Sequence, residues 1–108
     1  MQQLITSVDY IRHETSAVIQ VYFLQSWRQD DVTALAEDVF SLFDDVTLIE
    51  HAQGADIETF HIRVDTLDLL VNFELYSASC WLEVVNHQDT DSLRYIFENV
   101  NKKLAKCE

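Results

Sequence analysis

Between Ile57 and Val85, apolar residues recur at every second position: Phe60, Ile62 and Val64, then Leu67, Leu69, Val71 and Phe73, then Cys80, Leu82 and Val84. A two-residue period puts these side chains on one side of extended backbone, whereas a helix of about 3.6 residues per turn scatters them. The runs are broken by short stretches at Asp65–Thr66 and Tyr76–Ser79, so the segment predicts consecutive antiparallel strands. Just upstream, "VTLIEHAQ" and "IETFHIRV" read as a hairpin around Gly54, a residue that enters a left-handed turn freely.

Nearer the start, "AVIQVYFL" (Ala17 to Leu24) is nearly apolar on both faces and rich in β-branched and aromatic residues, the mark of an interior strand. Leu4 to Arg12 alternate as Leu4, Thr6, Val8 and Tyr10 and predict a first strand, joined to the next by the polar "HETS". Two segments change period. Val32, Leu35, Ala36, Val39, Phe40 and Phe43 follow helical spacing from Asp31 towards Val46, with Asp30 or Asp31 as the cap and Asp44 and Asp45 as the stop. Leu93, Ile96, Phe97, Val100 and Leu104 define a second helix starting at Thr90 or Asp91. Its Lys102, Lys103 and Lys106 complement the negative end of the helix dipole.

The expectation is one α+β domain over residues 1–108: a mostly antiparallel sheet of five to six strands with two helices packed on one face, in the order (β)β-α-β-β-β-β-α. From Ala17 onward this order of elements resembles one repeat of the TATA-binding protein, and more loosely the helix-grip folds that hold an apolar ligand. The resemblance is one of order alone and does not by itself carry a function.

Pairing the strands apolar to apolar sets Phe60, Ile62 and Val64 opposite Val71, Leu69 and Leu67. A loop of Tyr76 to Ser79 then sets Leu75 opposite Cys80, Phe73 opposite Leu82 and Val71 opposite Val84. By parity the other face carries Arg63 opposite Asp68, a polar row of Thr59, Asn72 and Glu83, a row of His61, Leu70 and Val85, and Glu74 facing Trp81. Trp81, Leu70 and Val85, joined by Tyr22 and His61, form the candidate partner-binding patch, because an indole supplies a large apolar area and one donor.

Charge narrows the partner. The net charge is −12, and between Asp30 and Asp91 fifteen acidic residues meet one base, Arg63. Such a field repels nucleic acid and anionic membrane and favours a basic protein. One Gly and no Pro leave no Gly-rich phosphate loop. His61 is the best-placed histidine for proton transfer, but the chain lacks a GxSxG elbow, an HExxH, a paired CxxC and an EF-hand spacing. The pairs His13–Glu14 and Glu50–His51 point to opposite faces of their strands and cannot jointly hold a metal without a bulge, which leaves His87 with Asp89 and Asp91 as a looser metal possibility. No catalytic residue, metal or cofactor is therefore assigned.

The N-terminus shows no signal-peptide pattern, the apolar run Ala17 to Leu24 is too short to span a bilayer, and Cys80 and Cys107 read as reduced thiols, which together predict the cytoplasm. The functional expectation is a small acidic, non-enzymatic protein that binds another protein, as an adaptor, regulator or inhibitor, with homodimerisation the commonest use of such a patch. The alternative is a small-molecule binder or enzyme with an apolar cleft of roughly 300 Å3 or more, lined by Phe40, Phe43 and Phe73.

Overall fold

The structure, a computed structural model, describes residues 4–106. Six strands form one antiparallel sheet: β1 (Ile5–His13), β2 (Ser16–Phe23), β3 (Val46–Gln53), β4 (Ile57–Val64), β5 (Leu67–Glu74) and β6 (Ser79–Val84). A 3-10 turn at Gln29–Asp31 and helix α1 (Val32–Phe40) connect β2 to β3. A second 3-10 turn, His87–Asp89, leads from β6 into α2 (Thr90–Lys106). The order β-β-α-β-β-β-β-α is an α+β fold. Cys107 and the side chains of His87 and Lys106 lie outside the described residues, so the expectations placed on them are not developed further.

In space the strands run β1-β2-β6-β5-β4-β3. The meander from β3 to β6 thus closes against the first hairpin through β6 and β2, with Val21 opposite Cys80 and Ile19 opposite Leu82. Alternate residues of the inner strands, Ala17, Ile19, Val21, Phe60, Ile62, Val64, Leu69, Val71, Phe73, Cys80 and Leu82, are buried on one face. Val32, Leu35, Ala36 and Val39 of α1 join the same core, as do Leu93, Ile96 and Val100 of α2. Phe73 is fully buried at an aromatic junction, with ring centroids 5.6 Å from Trp27, 5.8 Å from Phe60 and 6.3 Å from Phe23. Burying a side chain of this size contributes roughly 1.5–3 kcal/mol before conformational entropy is subtracted.

One contact ties α1 to the edge of the sheet. Asp38, 8% exposed, accepts the backbone N–H groups of Leu4 and Ile5 on one carboxylate oxygen, each at 3.0 Å. Farther along, the Phe40 ring meets Phe60 of β4 edge-on at 5.7 Å, so this short helix bears on strands from both halves of the sheet.

Five local expectations are corrected. The β5–β6 register is shifted by two residues: Phe73 faces Cys80, Val71 faces Leu82 and Leu69 faces Val84. The turn starts earlier than apolar pairing alone implies because the Glu74 carboxylate takes the backbone N–H of Ser77 at 2.7 Å as well as its hydroxyl. A shift of two preserves which face each side chain occupies. Gly54 does not adopt a left-handed conformation; Glu14, Asp65 and Ala78 do, at φ 56°, 58° and 55°. At Gly54 the requirement is space, since its N–H bonds Ile57 C=O at 2.9 Å and a Cβ there would lie 3.0 Å from that oxygen.

Helix α1 stops at Phe40, short of Asp44. Leu42 and Phe43 bond back only three residues, to Val39 and Phe40 at 3.0 and 3.1 Å, which tightens the chain out of the helix. Asp31 does not cap α1 through its side chain, which instead accepts the Arg28 N–H at 2.9 Å. In β1, an irregularity between Ile5 and Ser7 makes Ile5 and Val8 the buried residues and leaves Thr6 outside the expected alternation.

Candidate functional site

Both helices lie on the same side of the sheet, so the opposite face is open. The ladder aligns its side chains in rows across the strands. One row runs Gln20, Trp81, Asn72, Thr59, Ala52, and the next contains Leu70 between Glu83 and His61, followed by Glu50. A third pairs Asp68 with Arg63, with Val85 just past β6 donating its N–H to Asp68 C=O at 3.2 Å.

Each candidate patch residue is on this face. Trp81, Leu70 and His61 are half-buried near its centre, while Tyr22 (45% exposed) and Val85 (46%) stand at opposite ends. The structure therefore groups Trp81, Leu70 and His61 and separates Tyr22 from Val85. Because of the register shift, Trp81 faces Asn72 and Gln20 rather than Glu74, and Leu70 faces Glu83.

The polar row expected of Thr59, Asn72 and Glu83 is a hydrogen-bonded chain: Thr59 Oγ1 donates to Asn72 Oδ1 at 2.9 Å, and Asn72 Nδ2 donates to Glu83 Oε1 at 3.1 Å. Asn72 is only 4% exposed although it lies on the open side, in the ladder between Thr59 and Trp81. Its two bonds satisfy its carbonyl and one amide proton, which a buried amide requires. The chain ties Glu83 to Asn72, the cross-strand neighbour of Trp81.

Electrostatics differ along the face. Arg63 Nε donates to Asp68 Oδ1 at 2.7 Å, and this bond, working against partial desolvation, holds the Asp68 carboxyl below the ordinary aspartate range. The same bond raises the Arg63 guanidinium above its usual value. His61 Nε2 lies 3.5 Å from Asp68 Oδ2 but makes no well-directed hydrogen bond. Glu74, turned towards Ser77, is held below the ordinary glutamate range by that hydroxyl and N–H. By register Asp9, Glu50, Asp68, Glu74 and Glu83 all look outward, and Arg63 is the one arginine among these rows.

Sequence reasoning left three apolar residues of this face out of the patch. Ile11 (43% exposed) and half-buried Val18 sit opposite each other in β1 and β2, and Ile57 (37%) begins β4. Val18 was readable, since it shares parity with Gln20 and Tyr22. Also unforeseen was Glu58, which is 4% exposed on the helix side and bonds His51 Nε2 at 2.5 Å, with the imidazole stacked on Phe60 at 4.2 Å. Glu50 and His51 do point to opposite faces, towards His61 and Phe60. Among the described residues, no three His, Cys, Asp or Glu side chains converge to hold a metal ion. No helix among them is long and apolar enough to cross a membrane.

The alternative reading, a ligand binder or enzyme, called for an apolar cavity lined by residues such as Phe40, Phe43 and Phe73. Phe40 and Phe73 both meet Phe60 edge-on, while Phe43 borders a cleft of about 500 Å3 between the end of α1 and α2. Val64, Ile96 and Val100 line it beside Asp44, Asp45 and Lys103, whose ammonium bonds Asp44 at 2.9 Å.

A family model described as "Protein of unknown function (DUF3630)" matches residues 7–100, a span from β1 well into α2. The chain belongs to the DUF3630 family. No curated protein and no solved structure matches it. The match to DUF3630 takes in every residue of the open face named above, together with α1 and the first part of α2 on the other side.

Proposed function

We propose that this protein is a non-enzymatic binding module of the cytoplasm whose open sheet face docks a basic protein, in the manner of an adaptor, regulator or inhibitor. The observation that carries the reading is a half-buried Trp81 in one row with Asn72, whose amide is held by Thr59 and Glu83, on a face where Asp9, Glu50, Asp68, Glu74 and Glu83 look outward. A half-buried indole has already lost part of its side-chain freedom and still has area to bury, which suits the centre of an interface. The surrounding carboxylates raise the encounter rate with a cationic surface and discourage anionic ones. The same charges oppose face-to-face pairing of two copies, so a basic partner fits this face better than a homodimer.

The test is affinity capture from cytosolic extract with the wild type and the Trp81→Ala and Glu83→Lys variants, at low and high salt. The reading expects a basic protein held by the wild type at low salt, weakened by both substitutions and by salt, and protecting the Trp81–Leu70 region from hydrogen exchange. Recovery of chaperones alone, or capture indifferent to Trp81 and Glu83, refutes it. A dimer in light scattering whose formation survives high salt also refutes it, because the face is then apolar in its chemistry and self-directed.

A further inference from the structure

We propose that β3 is a second docking element, an open sheet edge that pairs with an extended segment of a partner in which aliphatic residues alternate with lysine or arginine. The inference rests on the protein-binding role above but places a contact on a different surface.

Geometry leaves this edge bare. Six strands about 4.8 Å apart make a sheet roughly 24 Å wide, while two helices about 10 Å apart cover less than that. The helix layer serves β1, β2 and β6 through α2, and reaches β4 through Phe40. Past Val46 every residue of β3 is exposed. Leu48 faces the helix side, opposite Ile62, yet is 52% exposed, and Ile49, at the irregularity between Leu48 and Glu50, is 43% exposed. As the last strand of the sheet, β3 presents a row of backbone N–H and C=O groups that have no partner strand among the described residues.

Native edges are usually blunted by lysine, proline or a covering element. β3 has neither residue, and its irregularity is the one such device it shows. The opposite edge is better closed: Asp38 takes the first N–H groups of β1, Arg12 lies near its end, and α2 packs beside it.

Charge selects the occupant. From Asp44 to Asp56 the chain carries Asp44, Asp45, Glu50 and Asp56 and no lysine or arginine. Lys103 is engaged with Asp44, and Arg63, opposite Thr47, with Asp68. Asp45, Glu50 and Asp56 have no cationic partner among the described residues. Two copies of β3 side by side would bring these acids together, whereas a basic strand neutralises them. Strand addition draws affinity from main-chain hydrogen bonds and specificity from alternate side chains. Here those side chains are an aliphatic set against Leu48 and Ile49 and a cationic set near Glu50 and its flanking aspartates.

A short synthetic peptide alternating lysine and valine, titrated into the intact labelled protein at low salt, tests this by amide NMR and hydrogen exchange. The expected result is shifts concentrated at residues 46–53, with outward β3 amides exchanging about tenfold or more slowly when the peptide is saturating. Ile49→Lys and Glu50→Lys, both at exposed positions, are expected to weaken binding about tenfold or more while leaving the spectrum elsewhere unchanged. A glutamate–valine peptide is expected not to bind. Trp81→Ala is expected to bind the lysine–valine peptide normally, which separates this edge from the open face. Absence of binding, shifts spread over the acidic surface without slowed β3 exchange, full affinity in both lysine variants, or β3 amides that shift with protein concentration alone each overturn the proposal.

Discussion

Replacing Asp38 by alanine removes the acceptor that fastens β1 to α1, and its cost follows from the structure. Two N–H groups, those of Leu4 and Ile5, converge on Asp38 Oδ2 at 3.0 Å each, and Ile5 is 3% exposed. A buried donor left without a partner costs roughly 1–3 kcal/mol, and the half-buried Leu4 less, because water reaches it in part. Alanine's better helix propensity returns about 0.5 kcal/mol. The net loss is therefore about 2–4 kcal/mol, a large share of the ~5–15 kcal/mol typical of a domain. With a urea dependence of about 1–1.5 kcal/mol per molar, the unfolding midpoint falls by about 2 M. Asp38→Asn keeps one acceptor oxygen and is expected to lose about half as much. Urea titrations of the three proteins give the magnitudes, and hydrogen exchange shows whether the Leu4 and Ile5 amides lose protection first. A loss below about 1 kcal/mol for alanine, or equal losses for alanine and asparagine, refutes the assignment of Asp38 as the clasp.

Two further outcomes are expected. Asp68 titrates in NMR below the ordinary aspartate value of about 3.9, so its contribution to stability is complete above that value and is lost as the pH falls through the lower folded-state value; Arg63→Gln moves the midpoint back up, and an unmoved midpoint refutes the pairing. Burial pushes the Cys80 thiol far above its usual range, so the folded protein resists alkylation at neutral pH and reacts once unfolded; stability falls as the pH rises past about 8.5, where only the unfolded thiol ionises, and equal alkylation of folded and unfolded protein contradicts this burial.

The strands from β3 to β6 were legible because their apolar period is local, and each hairpin carries its own pattern of inside and outside. That is why Trp81, Leu70 and His61 were placed on the face away from the helices even though the β5–β6 register was wrong by two. The alternation of Phe73, Cys80 and Leu82 tolerates either register, and the choice fell to Glu74, whose carboxylate closes the turn through Ser77. The start of α2 at Thr90 was readable for the same local reason. The end of α1 was not, since Phe43 keeps helical spacing after the backbone has left the helix.

Period and composition alone determined an antiparallel sheet with two amphipathic helices, a strongly acidic surface and the parity of its side chains. Tertiary structure decided what lies next to what. It inserted β6 between β2 and β5, buried Asp38 and Asn72 beside partners on other elements, and left β3 uncovered at the margin. The physical reason is reach: periodicity reports the environment of a residue relative to its own backbone, whereas burial of a polar group and exposure of an edge depend on elements that arrive from elsewhere in the chain.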